Sequence, residues 1–459
     1  MDSAVVGRLE AIVGKDNVTT DRQRMLSYLV DESPASVRPE PASDVLLCRP
    51  GSAQQVSAIL ELANEKGIKV FPRGGGTGLA GGAIPTQDGI ILSMERMNKL
   101  EIDKDNMMAI AEAGVTLGQL MAAAEAANLS FPPHPGDENA EVGGLVATNA
   151  GGSRAVRHGV MRHHIRAIEA ILPTGETLSL GGRVHKDNVG YDLMQLIIGS
   201  EGTLAVITKA TLQLYPKSGV TMTMIVPYDE RSDALSSVPE VLKNADTPLA
   251  IEYVERELME KSAKHLGARW PVAAGKCHLI IIVSEPSDEQ VLTECQKIAE
   301  ICHRHTTYEP YAAKSKGDQD NILRIRNNIY LALKKETMDI LDITVPIATL
   351  EKVIRSIQEV ANKQSASLAL FGHAGDGNLH VHIMRKESQS LEDVDKLRNK
   401  IYQIARSVGG VITGEHGVGK IRIKKAEECF AARELELMRS IKKTFDPNGI
   451  LNPGTKISD

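Results

Sequence analysis

His373, His380 and His382 stand close together in the stretch Phe371 to Met384, which reads Phe-Gly-His-Ala-Gly-Asp-Gly-Asn-Leu-His-Val-His-Ile-Met. Ser367 to Phe371 is a small apolar run, and beyond it Leu379, Val381 and Ile383 alternate with His380 and His382, the period of a half-buried strand. Gly375-Asp376-Gly377 predicts a tight turn between them, because Asp-Gly beside a further glycine readily takes positive φ. The resulting hairpin would bring His373 back across from His380 and set His380 and His382 on one face. Imidazoles gathered in a small buried volume need a metal, a substrate or a carboxylate. Glu415, in Gly414-Glu415-His416-Gly417, offers the carboxylate. Two neutral imidazoles and one carboxylate are a usual ligand set for a catalytic divalent ion such as Zn²⁺, Mn²⁺ or Fe²⁺, with positions left for water or substrate. On spacing, His373, His380 and Glu415 read as the ligands and His416 as a base. The same residues also fit a core hairpin of hydrogen-bonded histidines with a surface glutamate, since His-x6-His is not a standard short motif.

The elements that must position these groups belong to a chain of 459 residues, long enough for roughly two or three domains. Apolar residues make up 42% and charged residues 24%, the balance of a globular protein. A net charge of −6 and only 3% aromatic residues argue against nucleic-acid binding, which needs a basic surface and stacking rings. The first residues lack the basic and apolar regions of a signal peptide, and no apolar run approaches the roughly eighteen residues of a membrane span. Cys48, Cys277, Cys295, Cys302 and Cys429 are scattered without a Cys-x2-Cys pair. This predicts a reduced, cytoplasmic protein with neither a disulfide framework nor an iron–sulfur cluster of its own.

Ser3 to Val13 reads as a short helix, and Pro34, Pro39 and Pro41 mark entry to the first compact domain. Val45 to Cys48, Ala53 to Glu65 and Lys69 to Phe71 then read as strand, helix and strand. Such a unit delivers its next loop to a sheet edge where ligands bind. That loop, Pro72 to Gly82, is rich in glycine, and successive N–H groups can point inward as a nest for a pyrophosphate. It is not the dinucleotide fingerprint, because no Gly-x-Gly-x-x-Gly opens a helix here. Two more glycine-rich stretches, Pro132 to Ser153 and Gly190 to Thr208, suggest close approach to one long ligand. Gly414 to Lys420 imitates the start of a nucleotide P-loop, but Ile421 stands where a Ser or Thr is required. His163 and His164, beside Arg162 and Arg166, fit a polar segment better than a metal site.

Arg73 to Gly78, Thr148 to Gly152, Gly199 to Leu204, Gly372 to His380, Gly414 to Gly417 and Phe445 to Gly454 occur in order. Together these six motifs resemble the FAD-dependent 2-hydroxyacid dehydrogenases of the vanillyl-alcohol-oxidase type. The family includes D-lactate dehydrogenase, the glycolate oxidase flavin subunit and D-2-hydroxyglutarate dehydrogenase. The resemblance implies an α+β fold: a two-part FAD-binding domain over 41–216, and a substrate domain over 217–410 whose antiparallel sheet is covered by helices. A C-terminal segment, 411–459, would return to the flavin, and residues 1–40 would form a helical segment of their own. FAD would be held noncovalently by Arg73, Gly74, Gly75, Gly76, Thr77, Gly78 and Gly81 of the first glycine-rich loop. Pro135, Gly136, Glu141, Gly144, Thr148, Asn149, Gly151 and Gly152 of the second would join them, with Gly202 and Ile207 of the third.

The implied reaction removes a hydroxyl proton and moves a hydride from the α-carbon to the flavin. His373, His380 and Glu415 fall on the family's metal positions and His416 on its base, as spacing suggested. Arg326 is the candidate for the substrate carboxylate, since a planar guanidinium binds one bidentately. Arg324 competes for that role, and Tyr330, one helical turn on, would share the face of Arg326. His382 and Asn452 would lie near the substrate. Hydroxyglutarate enzymes of the family carry a lysine where this chain has Ile340, and relatives often carry an arginine where it has Ile347. Without that lysine a second substrate carboxylate loses an expected anchor, which favours a small monoacid, with D-lactate ahead of glycolate and D-2-hydroxyglutarate. Electrons would pass to a separate acceptor: an electron-transferring flavoprotein, an iron–sulfur subunit or a quinone. Any membrane contact would come through that partner, and a homodimer is compatible with the sequence. Two other classes fit parts of the chain, a metal-dependent hydrolase using His416 and an electron-transfer flavin subunit.

Overall fold

The computed structural model describes residues 2–217, 219–387 and 389–458. The chain forms two compact units, one of residues 1–150, 160–217 and 415–459, the other of residues 151–159 and 218–414.

The first unit carries β1 (Val18–Thr19), β2 (Val45–Cys48), β3 (Lys69–Arg73) and β4 (Gly89–Ser93) in the order β1-β2-β4-β3, with β2 and β3 parallel to β4. The helix Ala53–Lys66 makes the β2-to-β3 crossover. It starts on Ser52, whose hydroxyl accepts from the Gln55 N–H, and stops at Gly67, in the left-handed region at φ 66°. Its buried Val56, Ile59, Leu60 and Ala63 repeat at helical spacing. Residues 1–40 are not a segment apart: Val5, Leu9 and Val13 of the helix Ser3–Val13 enter the same core as β2 and β4. A second sheet of β5 (Leu100–Asp103), β6 (Met108–Glu112), β8 (Ile165–Ile171), β9 (Thr177–Gly181) and β10 (Val206–Gln213) is antiparallel in the order β5-β6-β10-β8-β9. The short β7 (Leu129–Ser130) and β11 (Tyr215–Pro216) pair with each other. The C-terminal residues come back along the free edge of β3, where the Val70 N–H donates to the Ile450 carbonyl and the Asn452 N–H to the Val70 carbonyl, both at 2.8 Å.

The second unit is built on one antiparallel sheet. Its strands are β12 (Val220–Tyr228), β13 (Ala250–Glu255), β14 (Cys277–Glu285), β15 (Tyr311–Ala313), β16 (Thr337–Thr344), β17 (Leu368–His373) and β18 (Asn378–Met384), in the order β15-β12-β14-β13-β17-β18-β16. Helices cover it, as the helix Leu350–Lys363 illustrates. Its Leu350, Val353, Ile354, Ile357 and Ala361 form one buried stripe, and the larger four contribute about 1.5–3 kcal/mol each. The expected hairpin is β17 and β18, with one correction. His373 stands opposite Asn378, and it is Phe371 that faces His380, because the loop between the strands runs from Ala374 to Gly377. Gly377 closes it at φ 83°, where a Cβ would also collide with the Val345 carbonyl.

Candidate active site

In the first unit the segment after β3 forms one wall of an open cleft, about 990 Å³ with the solvent at its mouth, through Arg73, Gly74, Gly75, Gly76, Thr77 and Gly78. Gly75 is required by space: a Cβ there would stand 2.7 Å from the Asn139 carbonyl oxygen. Asp31, which the sequence reading missed, pins the loop by accepting from the Gly81 N–H at 2.8 Å. Glu141, Gly144, Thr148, Gly202 and Ile207 also line the cleft. Gly81, Pro135, Gly136, Asn149, Gly151 and Gly152 are not among its lining residues. Asn149 instead ends the helix Val142–Thr148 in the left-handed region at φ 51°, and its Oδ1 accepts from the Arg162 N–H at 3.0 Å. Gly151 and Gly152 belong to the second unit.

The cleft suits a polar, anionic guest. Arg73 is buried in its wall, and its Nη1 has no hydrogen-bond partner among the described residues; the same holds for Glu141 Oε2. Burial pushes the Glu141 carboxyl up to about 8, reinforced by the charge of Glu95 and opposed by Arg73. Glu141 is therefore protonated at neutral pH and ionises as pH rises through that value. An anion beside an anion nest would repel a pyrophosphate, so retention of a bound dinucleotide should weaken above about pH 8. Folding stability from this group falls over the interval from its ordinary carboxyl range up to about 8, because the folded state holds the proton longer. Released FAD fluorescence after desalting from pH 6 to 9.5 checks this, and Glu141→Gln should flatten the curve; a variant curve matching wild type would remove Glu141 from it.

His416 and Asn452 stand on the wall of this same cleft. Glu201 holds them there from a buried, left-handed backbone position at φ 55°. Its carboxylate accepts from the Val418 N–H at 2.9 Å and the Gly419 N–H at 2.6 Å, and its carbonyl from Asn452 Nδ2 at 2.8 Å. Lys420 Nζ donates to Gly82 O, Asn452 Oδ1 and Thr455 Oγ1 at 2.7–2.9 Å, a tether that ties the C-terminal segment to itself and to the loop after β3 rather than a phosphate lysine. His164 packs edge-on against Phe131 and Tyr215, and His163 Nδ1 accepts from the Val160 N–H, so this pair serves local packing.

In the second unit the sheet register gathers a different set of groups. Glu252 is opposite His373 across β13 and β17; Asp342 is opposite His380 and Ile340 opposite His382 across β16 and β18. Directly paired residues share a face. The His373 and His380 rings lie 5.2 Å apart at 88°. Glu252 Oε1 is 2.6 Å from His373 Nδ1, and Arg326 forms an ion pair with its other oxygen. Burial pushes the Glu252 carboxyl up, but Arg326 and then His373 outweigh it and hold it below the usual carboxylate range. His380 Nδ1 lies 3.8 Å from Asp342 Oδ1. Asp342 Oδ2 accepts from the Gly414 N–H at 2.8 Å, which fixes the residue that covalently precedes Glu415. Glu415 and His416 open the last stretch of the first unit, with His416 Nε2 3.8 Å from Glu415 Oε1.

His382 Nδ1 is 3.3 Å from Thr337 Oγ1, and its ring meets Phe371 at 4.9 Å and Tyr330 at 5.8 Å. Tyr330 does not continue the helix of Arg326. That helix, Lys316–Asn327, ends at Asn328, and Tyr330 lies in the short helix Ile329–Leu333. Arg324 is turned to the surface, with Nη2 on Asn321. Glu252 and Asp342 escaped the sequence reading. Their signal was a carboxylate inside an otherwise apolar strand run, at Ile251-Glu252-Tyr253-Val254 and Leu341-Asp342-Ile343.

Comparison with known proteins decides the cofactor. Residues 45–181 match the family described as "FAD binding domain", and residues 217–455 match "FAD linked oxidases, C-terminal domain". The chain is 44% identical to a D-lactate dehydrogenase of Archaeoglobus fulgidus over 93% of its own length and 95% of the relative's. The chain belongs to the FAD-linked 2-hydroxyacid dehydrogenases. This dehydrogenase is also 30% identical to the glycolate oxidase subunit GlcD of Bacillus subtilis, over 97% of its length and 95% of that protein's. Its fold is that of 4-ethylphenol oxidase from Gulosibacter chungangensis, with a TM-score of 0.79 over 99% of this chain and 96% of that one at 17% identity. The dehydrogenase is therefore an FAD enzyme with the fold of that oxidase. No helix among its described residues is long and apolar enough to cross a membrane.

Proposed function

We propose that this dehydrogenase oxidises a small D-2-hydroxy acid, D-lactate first, to the 2-oxo acid and hands the electrons to a separate acceptor. The carrying observation is the apolar surround of His382: Ile340 opposite it on the sheet, with the Phe371 and Tyr330 rings against it. A methyl group is stabilised against these rings, and Ile340 itself offers no cation to a second carboxylate. The 44% identical relative named D-lactate dehydrogenase supports the same choice. When bound, noncovalent FAD supplies a hydride acceptor, and a divalent ion (Zn²⁺, Mn²⁺ or Fe²⁺) lowers the pKa of a coordinated hydroxyl.

The chain's own residues do the rest. His373, His380 and Glu415 would hold the ion. Arg326, whose buried Nε has no partner among the described residues, takes the substrate carboxylate. His416 accepts the hydroxyl proton, and His382 and Asn452 bound the substrate. The acceptor is an electron-transferring flavoprotein, an iron–sulfur subunit or a quinone. Glycolate is the second reading, favoured by the relative named as a glycolate oxidase subunit.

Anaerobic mixing with a panel of 2-hydroxy acids, followed by flavin absorbance, tests the choice. D-Lactate should bleach the flavin at least about 10-fold faster than D-2-hydroxyglutarate, and Ile340→Lys should narrow that gap. Fastest bleaching of the wild type by D-2-hydroxyglutarate would sink the assignment.

A further inference from the structure

We infer that Glu252 is a positioning residue that serves His373 and Arg326 at once. The inference rests on the reading of His373 as a metal ligand and Arg326 as the carboxylate binder. Glu252 is 1% exposed, in the middle of the sheet on β13. One carboxylate oxygen lies 2.6 Å from His373 Nδ1 and the other pairs with Arg326, while Arg326 Nη2 is itself 3.3 Å from His373 Nδ1. An ionised carboxylate only accepts, so the proton in the short contact sits on His373 Nδ1. That fixes the tautomer and leaves the lone pair on Nε2, where a ligating imidazole needs it. Arg326 is held in turn: Glu252 binds one end of the guanidinium and the Phe371 ring lies 5.7 Å from its centre. Its remaining N–H groups keep a fixed direction for a substrate carboxylate. The strand register makes this sharing possible, because it sets Glu252 and His373 side by side across β13 and β17.

A carboxylate behind a ligating imidazole typically changes metal affinity by about 10- to 100-fold. The test uses FAD-loaded protein and Mn²⁺ as probe, with the dissociation constant read by competition against a chelator. Glu252→Gln should keep its FAD and weaken Mn²⁺ binding by about 10- to 100-fold. In a His373→Ala background the same change should cost little more, because the imidazole it orients has gone. Flavin-spectrum titration of metal-stripped protein with pyruvate should show weaker binding in Glu252→Gln, through Arg326. Glu252→Gln leaves the Arg326 charge buried alone, and if that variant does not fold, Glu252→Gln with Arg326→Met removes both charges and is read for Mn²⁺ in its place. Wild-type Mn²⁺ affinity in the Glu252 variant, with a loss in His373→Ala, overturns the role of Glu252. Wild-type affinity in His373→Ala overturns the ligand reading of His373 instead, and the metal half of the inference with it.

Discussion

His416→Ala should retain FAD and lose about 10²- to 10⁴-fold in the rate at which D-lactate bleaches the flavin, the usual contribution of a positioned general base. Retention is expected because the cleft is lined chiefly by the loop after β3 and by the helix Val142–Thr148, of which His416 is no part. The segment carrying His416 is also fixed by backbone N–H groups of Val418 and Gly419 on Glu201, contacts that the substitution leaves in place. Loss of rate should then come from chemistry rather than from a collapsed wall. Stopped-flow absorbance with FAD content measured on the same sample checks both halves. A variant within a few-fold of wild type would take His416 out of the reaction.

The second large effect concerns the ion. His380→Ala should copurify with no divalent metal and reduce bleaching by D-lactate at least about 100-fold, and chelator-treated wild type should match it. Zn²⁺ or Mn²⁺ should restore the stripped wild type and leave His380→Ala inactive. His380 is the cleaner choice because His373 also belongs to the Glu252 and Arg326 network, so its removal disturbs two functions. Metal analysis beside the kinetics decides the matter: a stripped protein with no measurable metal and undiminished bleaching would end the metal proposal.

What could be read from the sequence was what is local. The alternation around His380 and His382 gave the strand, the 3.6-residue spacing of Val56, Ile59 and Leu60 gave the crossover helix, and the glycines after β3 gave the cleft loop. The hairpin register slipped because Asp-Gly suggests a shorter turn than the loop from Ala374 to Gly377. Tyr330 was set on the wrong helix because the helix stops at Asn328 with φ −95°, without the left-handed glycine that usually announces an end. Glu252 lies 121 residues from His373, and Glu201 lies 217 from Val418, so their partnership depends on tertiary folding that no short-range pattern carries.

The return of the tail along β3 has a temporal consequence. His416 and Asn452 line a cleft whose other walls are complete by Ile207, yet the second unit must be synthesised before either residue emerges. At about 5–20 residues per second, a nascent chain waits roughly 10–50 s between finishing its early walls and receiving its last one. A dinucleotide arriving in that interval would meet a cleft still lacking His416 and Asn452, so the groups next to the reaction are the last to reach it.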